Sequence, residues 1–154
     1  MPNITSILQT IQANTTPDWD KVLSETLSTF ACPTGTLHRL ESASQLLQLV
    51  AQRGLPDFLL PMVGTIPVGK GMAGICAERR DVVQTCNLQT DTSGVVRPGA
   101  KETKMEGAIT VPILNKGELL GTLGIAKPVP YDFSEEETAA LVAISNAIAA
   151  TWVH

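Results

Sequence analysis

Aromatic residues are scarce: three Phe, two Trp and one Tyr make up 4% of the 154 residues. Platforms that stack nucleic-acid bases need more than this. Basic charge is also short. Eleven Lys and Arg stand against fifteen Asp and Glu, a formal net charge of −4. A chain with no basic excess does not release phosphate counterions, so nucleic acid is not an expected partner. Long apolar runs are missing as well. Nothing approaches the roughly 20 residues of a membrane span. The N-terminal stretch MPNITSILQTIQANTTP has no basic region and no small-residue cleavage site, so neither a signal peptide nor a membrane partner is expected. The three cysteines, Cys32, Cys76 and Cys86, are odd in number and scattered, which argues against a disulfide framework and for free thiols in the cytoplasm. The two histidines are His38 and the terminal His154, so a haem reading rests on His38 alone. Cys76, Cys86 and Asp91 lack zinc-ligand spacing, and no metal is expected.

What is present fits one domain with a real core: 44% of the residues are hydrophobic and 17% charged. Ile4, Ile7, Leu8 and Ile11 repeat at helical spacing and predict a short helix within residues 1–14, ahead of a core spanning 18–152. Thr16 as N-cap with Pro17 behind it predicts a second helix from Pro17 to Phe30. GTLHRLE and LLQLVAQR read as paired strands across a SAS turn, and residues 56–62 as a helical turn. A helix from Gly71 or Met72 to Arg79-Arg80 and a short strand VVQT follow. Residues 86–105 are polar and without period, a length that inside a compact domain usually serves function. The clearest hairpin pairs 107–114 with 118–127 around Asn115-Lys116-Gly117. Ser134 and Glu137 form a capping box that opens a helix running to about Trp152. The order predicts an α+β fold: an antiparallel sheet with helices on both faces.

Gly64, Gly69 and Lys70 satisfy the first part of a phosphate-binding loop, G-x-x-x-x-G-K. The next residue must be Ser or Thr to ligate Mg²⁺, and it is Gly71. Pro67 also removes a backbone donor inside the loop. The stretch is therefore read as a glycine-rich turn before a helix.

Alternation sorts the late hairpin into two faces. Ile109, Val111 and Ile113 with Leu119, Leu123 and Ile125 form a large face, to be covered by the terminal helices. Ala108, Thr110 and Pro112 with Leu120, Thr122, Gly124 and Ala126 form a small face that leaves room for a ligand cavity.

Four blocks, TLHRLESASQLLQLVAQRGLP, IPVGKGMAGICAERRDVVQTCN, ITVPILNKGELLGTLGIAKP and FSEEETAALVAISNAIA, together resemble a GAF domain over about residues 18–152. Ile66, Gly69, Gly71, Gly74, Val83 and Asn87 match the family turn and following strand. The resemblance implies a pocket beside that turn, small-molecule sensing in cytoplasmic signalling, and dimerisation. It also resembles the enzymatic subclass, free methionine-(R)-sulfoxide reductase, but Ala73 and Lys101 stand where that subclass carries cysteines. Ala108, Gly124 and Ala126 stand where it carries the carboxylates that hold the substrate amine. Bilin-binding members need aromatic pocket walls, and cyclic-nucleotide-binding members a constellation of which only Asn115-Lys116 is present, in a hairpin turn.

The expectation is a non-catalytic sensor module that takes a small, largely apolar or mildly polar molecule. A thiol-dependent reductase and a ligand-free scaffold are the alternatives. The predicted ligand-binding residues are His38, Met72, Cys76, Asn87, Asp91, Arg97, Met105, Ala108, Thr110 and Thr122. Met72 and Cys76 share a helix face, and Arg97 can pair a carboxylate. The stripe of Ile4, Ile7, Leu8 and Ile11 is expected to stay exposed and to form a homodimer bundle with Leu141, Ile144, Ile148 and Trp152. The downstream partner has no signature in the sequence.

Overall fold

The computed structural model describes residues 2–13, 15–90 and 104–153. Asp91, Arg97 and Lys101 lie outside the described residues. The elements are α1 (Thr5–Gln12), α2 (Trp19–Phe30), β1 (Thr34–Glu41), β2 (Leu46–Arg53), a 3-10 turn (Asp57–Leu59) running into α3 (Leu60–Val63), β3 (Thr65–Pro67), α4 (Gly71–Arg79), β4 (Val83–Thr85), β5 (Gly107–Asn115), β6 (Glu118–Lys127) and α5 (Glu135–Trp152). The described strands form one antiparallel sheet in the order β3-β2-β1-β6-β5-β4. The α+β arrangement is the expected one. No helix of the described residues is long and apolar enough to cross a membrane.

One face of the sheet carries the main core. Leu37, Ile109, Val111, Ile113, Leu123 and Ile125 pack with Val22, Leu23, Leu27 and Phe30 of α2 and with Leu141, Ile144 and Ile148 of α5. The capping box that starts α5 forms as predicted. Ser134 Oγ accepts from the Glu137 amide at 3.1 Å, and Glu137 Oε1 accepts from the Ser134 amide at 2.9 Å. At the other end Arg39 donates to the Trp152 carbonyl at 3.2 Å and lies 5.0 Å from its ring centroid. A cation there complements the negative end of the helix dipole.

Three local expectations are corrected. The N-cap of α2 is Asp18, not Thr16: its carboxylate accepts from the Lys21 amide at 3.3 Å, while Pro17 is buried before the helix begins. The two-face alternation fails at Leu119 and Leu120. The β5–β6 register slips between Ile113 and Leu114, leaving Leu120 as an extra residue on β6. Such a bulge re-aims its neighbours, so Leu120 packs on the main core and Leu119 joins Leu47, Ile66 and Ala77 on the opposite face. The α1 stripe is not exposed. Ile7 and Ile11 retain 1% and 0% of their accessible surface, and α1 packs on α2 and α5 of its own chain.

Candidate functional site

The second face of the sheet is small and uncharged along β1, β6 and β5. Register places three cross-strand rows on it: Ala126 beside Ala108, then Thr36, Gly124 and Thr110, then His38, Thr122 and Pro112. An added Cβ at Gly124 would lie 3.0 Å from Thr110 Oγ1 and 3.6 Å from Thr36 Oγ1, so the missing side chain separates two hydroxyls. Here the face opens into a cleft of about 110 Å³, lined by Thr34, Gly35, Thr36, Ala108, Thr110, Gly124, Ile125 and Ala126. None of these side chains is charged.

The glycine-rich turn positions the helix over this face. Gly69 and Gly71 hold φ of +95° and +66°, a left-handed region that side chains disfavour. The Gly69 amide donates to the Gly74 carbonyl at 2.7 Å, and a Cβ on Gly74 would meet the Pro67 carbonyl. The glycines therefore fold the turn onto its own helix. From there α4 crosses β5 and β6. Met72 packs near Ala108, Ala126, Leu88 and Met105. One turn on, Cys76 is fully buried, its Sγ 3.7 Å from the Thr110 carbonyl.

Of the predicted residues, Ala108 and Thr110 line the cleft, and Met72 and Met105 flank it. His38 and Thr122 lie one register step along the same face, each 1% exposed. His38 Nε2 lies 2.8 Å from the Val63 carbonyl, and burial lowers its pKa below the ordinary imidazole value despite that bond. Cys76 does not reach the cleft. Asn87 turns inward on its own loop, its Oδ1 accepting from the Gln89 amide at 2.9 Å. Gly124 and Ala126 were expected on the small face but not among the ligand-binding residues, and Thr34 and Thr36 were not expected at the site at all. The alternation Thr34, Thr36, His38 on one face of β1 was the available signal.

The thiols differ in reactivity for physical reasons. Burial pushes Cys76 up to about 12 and Cys32 up to about 11, while Cys86 is exposed. Only thiolate reacts. Native protein at neutral pH should therefore take up one equivalent of a disulfide reagent such as DTNB, at Cys86, and three in urea. Rapid labelling of Cys76 in the native state would show that α4 does not seal it.

A family model for the GAF domain matches residues 19–152. The chain belongs to the GAF family. Its fold is that of the GAF domain from a phosphoenolpyruvate-protein phosphotransferase of Coxiella burnetii, at TM-score 0.80 and 24% identity over 99% of this chain and 94% of that one. The corresponding GAF domain from Acinetobacter also aligns at TM-score 0.80, with 20% identity over 98% and 90% of the two chains. The free methionine-R-sulfoxide reductase of Neisseria meningitidis, solved with its substrate, aligns at TM-score 0.77, with 18% identity over 97% and 85%. A search of curated proteins gives no match. A GAF fold supports a sensor or regulatory module at a coarse level; identities this low carry the fold and not the ligand.

Proposed function

We propose that this GAF domain is a non-catalytic sensor module of the cytoplasm that binds a small, uncharged, mildly polar molecule in the cleft over Gly124. The observation that carries this reading is the lining: hydroxyls and methyl groups from Thr34, Thr36, Thr110, Ala108 and Ala126, with no charged side chain among the described residues. Such a surface suits a neutral ligand and offers nothing to compensate a charged one. The thiols support the non-catalytic reading over the reductase one. Ala73 stands at a family cysteine position, and Cys76 is held neutral beneath β5. Free thiols at all three cysteines fit a reducing compartment. Output would pass to α5, whose C-terminal end is tied to β1 through Arg39. Its outward residues Ala139, Asn146 and Ala150, with Val153 just past its end, are exposed, and they replace the α1 stripe as the proposed homodimer surface.

The test is native mass spectrometry of the purified protein beside Ala108→Leu. Ala108 is 5% exposed among Ala126, Leu88, Met72 and Met105, and the two methionines can adapt to a larger neighbour. The variant should fold at a cost of roughly 1–3 kcal/mol and arrive without the small molecule that wild type retains. Equal retention by both proteins would remove the cleft as the binding site.

A further inference from the structure

Two buried polar atoms on this face have no hydrogen-bond partner among the described residues: His38 Nδ1 and Thr122 Oγ1. They belong to residues directly opposite one another in the β1–β6 register, each 1% exposed. Buried polar groups are nearly always paired, so two adjacent orphans require an explanation. Their chemistry is fixed by what surrounds them. The Val63 carbonyl, 2.8 Å from His38 Nε2, can only accept, so Nε2 carries the ring proton. Nδ1 of the neutral ring is then an acceptor. The Thr122 hydroxyl can donate or accept. Opposed side chains in an antiparallel pair stand about 5 Å apart at Cβ. One oxygen between them can donate to Nδ1 and accept from Thr122.

We propose that His38 and Thr122 form the specificity element of the sensing site, which recognises a hydroxyl group at the end of a neutral, short aliphatic ligand. This rests on the cleft being the ligand site. Gly124, which stands between the row of His38 and Thr122 and the row at Ala126, puts no side chain between the two rows. The aliphatic part of the ligand lies over Gly124 between Thr36 and Thr110, and its hydroxyl reaches one row further. A carboxylate is rejected, because Nδ1 presents a lone pair and no cation among the described residues lines the cleft. Both residues are 1% exposed, so a ligand reaches them only as a covering segment moves, and Val63 carries the carbonyl held against His38. The segment carrying it is lightly held: no residue of Leu60–Val63 is buried, and Phe58 and Met62 are 63% and 41% exposed.

The probe is 1-propanol, with propionate as the anionic control of equal chain length. The readout is the imidazole ¹⁵N spectrum of the full chain, with His38 distinguished from His154 by His38→Gln. The spectrum should show the Nε2–H tautomer. Added propanol should move His38 Nδ1 upfield to saturation, and propionate should not. Thr122→Val keeps the shape and removes one of the two hydrogen bonds, so it should weaken the propanol response about tenfold while the protein stays folded. Three results overturn the proposal. Nδ1 already hydrogen-bonded without alcohol and unmoved by it would mean that internal water occupies the bridge. An unchanged response in Thr122→Val would remove the threonine. A response to propionate equal to that for propanol would remove the selectivity. A small molecule retained by wild type and lost in Ala108→Leu, with Nδ1 unmoved, would sink this assignment and leave the sensing site standing. Absence of both signals would sink the two together.

Discussion

Ile11→Ala is expected to cost about 2–4 kcal/mol of stability, a large share of the 5–15 kcal/mol typical of a domain. Ile11 has no accessible surface left. It packs beside Ala147, Ala150 and Thr151 of α5 at the edge of a groove, so truncation opens a cavity there that the two helices cannot fully close. Ile7, 1% exposed, lies one turn earlier on the same stripe. Polar contacts also hold α1 in place: Ser6 and Thr10 donate to the Glu25 carboxylate on α2. Removal of residues 1–13 should therefore destabilise the domain rather than release a dispensable arm. Urea unfolding followed by tryptophan fluorescence measures both. A loss for Ile11→Ala below about 0.5 kcal/mol, the range of a surface change, would show that α1 does not belong to the core.

The case of α1 shows what periodicity conveys. The spacing of Ile4, Ile7, Leu8 and Ile11 says which side of the helix is apolar, and α1 forms where that spacing predicts. It does not say what covers that side. The hairpin of β5 and β6, the capping box and the glycine turn were legible because each depends on residues close in sequence. The bulge at Leu120 was not, because an extra residue in a run of apolar side chains leaves no mark on composition. Its effect was to exchange the faces of Leu119 and Leu120. The three-residue β3 was missed too: it pairs with β2 only at the sheet edge and ends on Pro67, which cannot donate to a ladder. Of the residues that line the cleft, Ala108 and Thr110 on β5 were among those predicted and those of β1 were not. Thr36 enters only once β1 is known to lie against β6, a pairing between residues almost ninety apart in sequence. Cys76 failed as a pocket residue for a related reason. Sharing a face with Met72 placed it toward the sheet, where it meets the Thr110 carbonyl instead of open space.

Gly121→Ala is expected to be among the most damaging single-methyl additions in the chain, at roughly 3–5 kcal/mol. The reason is space and not backbone conformation, since Gly121 does not have positive φ. A Cβ there would overlap the His38 carbonyl oxygen and lie 2.9 Å from Cζ3 of Trp152. The carbonyl belongs to the backbone of β1, so it cannot rotate away without breaking the β1–β6 pairing at Arg39 and Gly121. The ring is fixed as well. Trp152 meets Trp19 edge-on at 5.6 Å between centroids, and Arg39 lies over its face. Gly121 thus sits where the row of His38, the bulge at Leu120 and the C-terminal end of α5 converge, and a methyl group would force apart the elements proposed to carry the signal. Gly117→Ala is the control. Its φ is +82° but nothing lies within 4 Å of the added Cβ, so only the left-handed backbone penalty of about 1–2 kcal/mol applies. Urea midpoints of the two variants separate the causes, and fluorescence of the Trp19–Trp152 pair reports the contact at the end of α5. Gly121→Ala unfolding within about 1 kcal/mol of wild type, the typical effect of a point mutation, would mean that β1 and α5 can part without loss and that the proposed route from the cleft to α5 is not a rigid one.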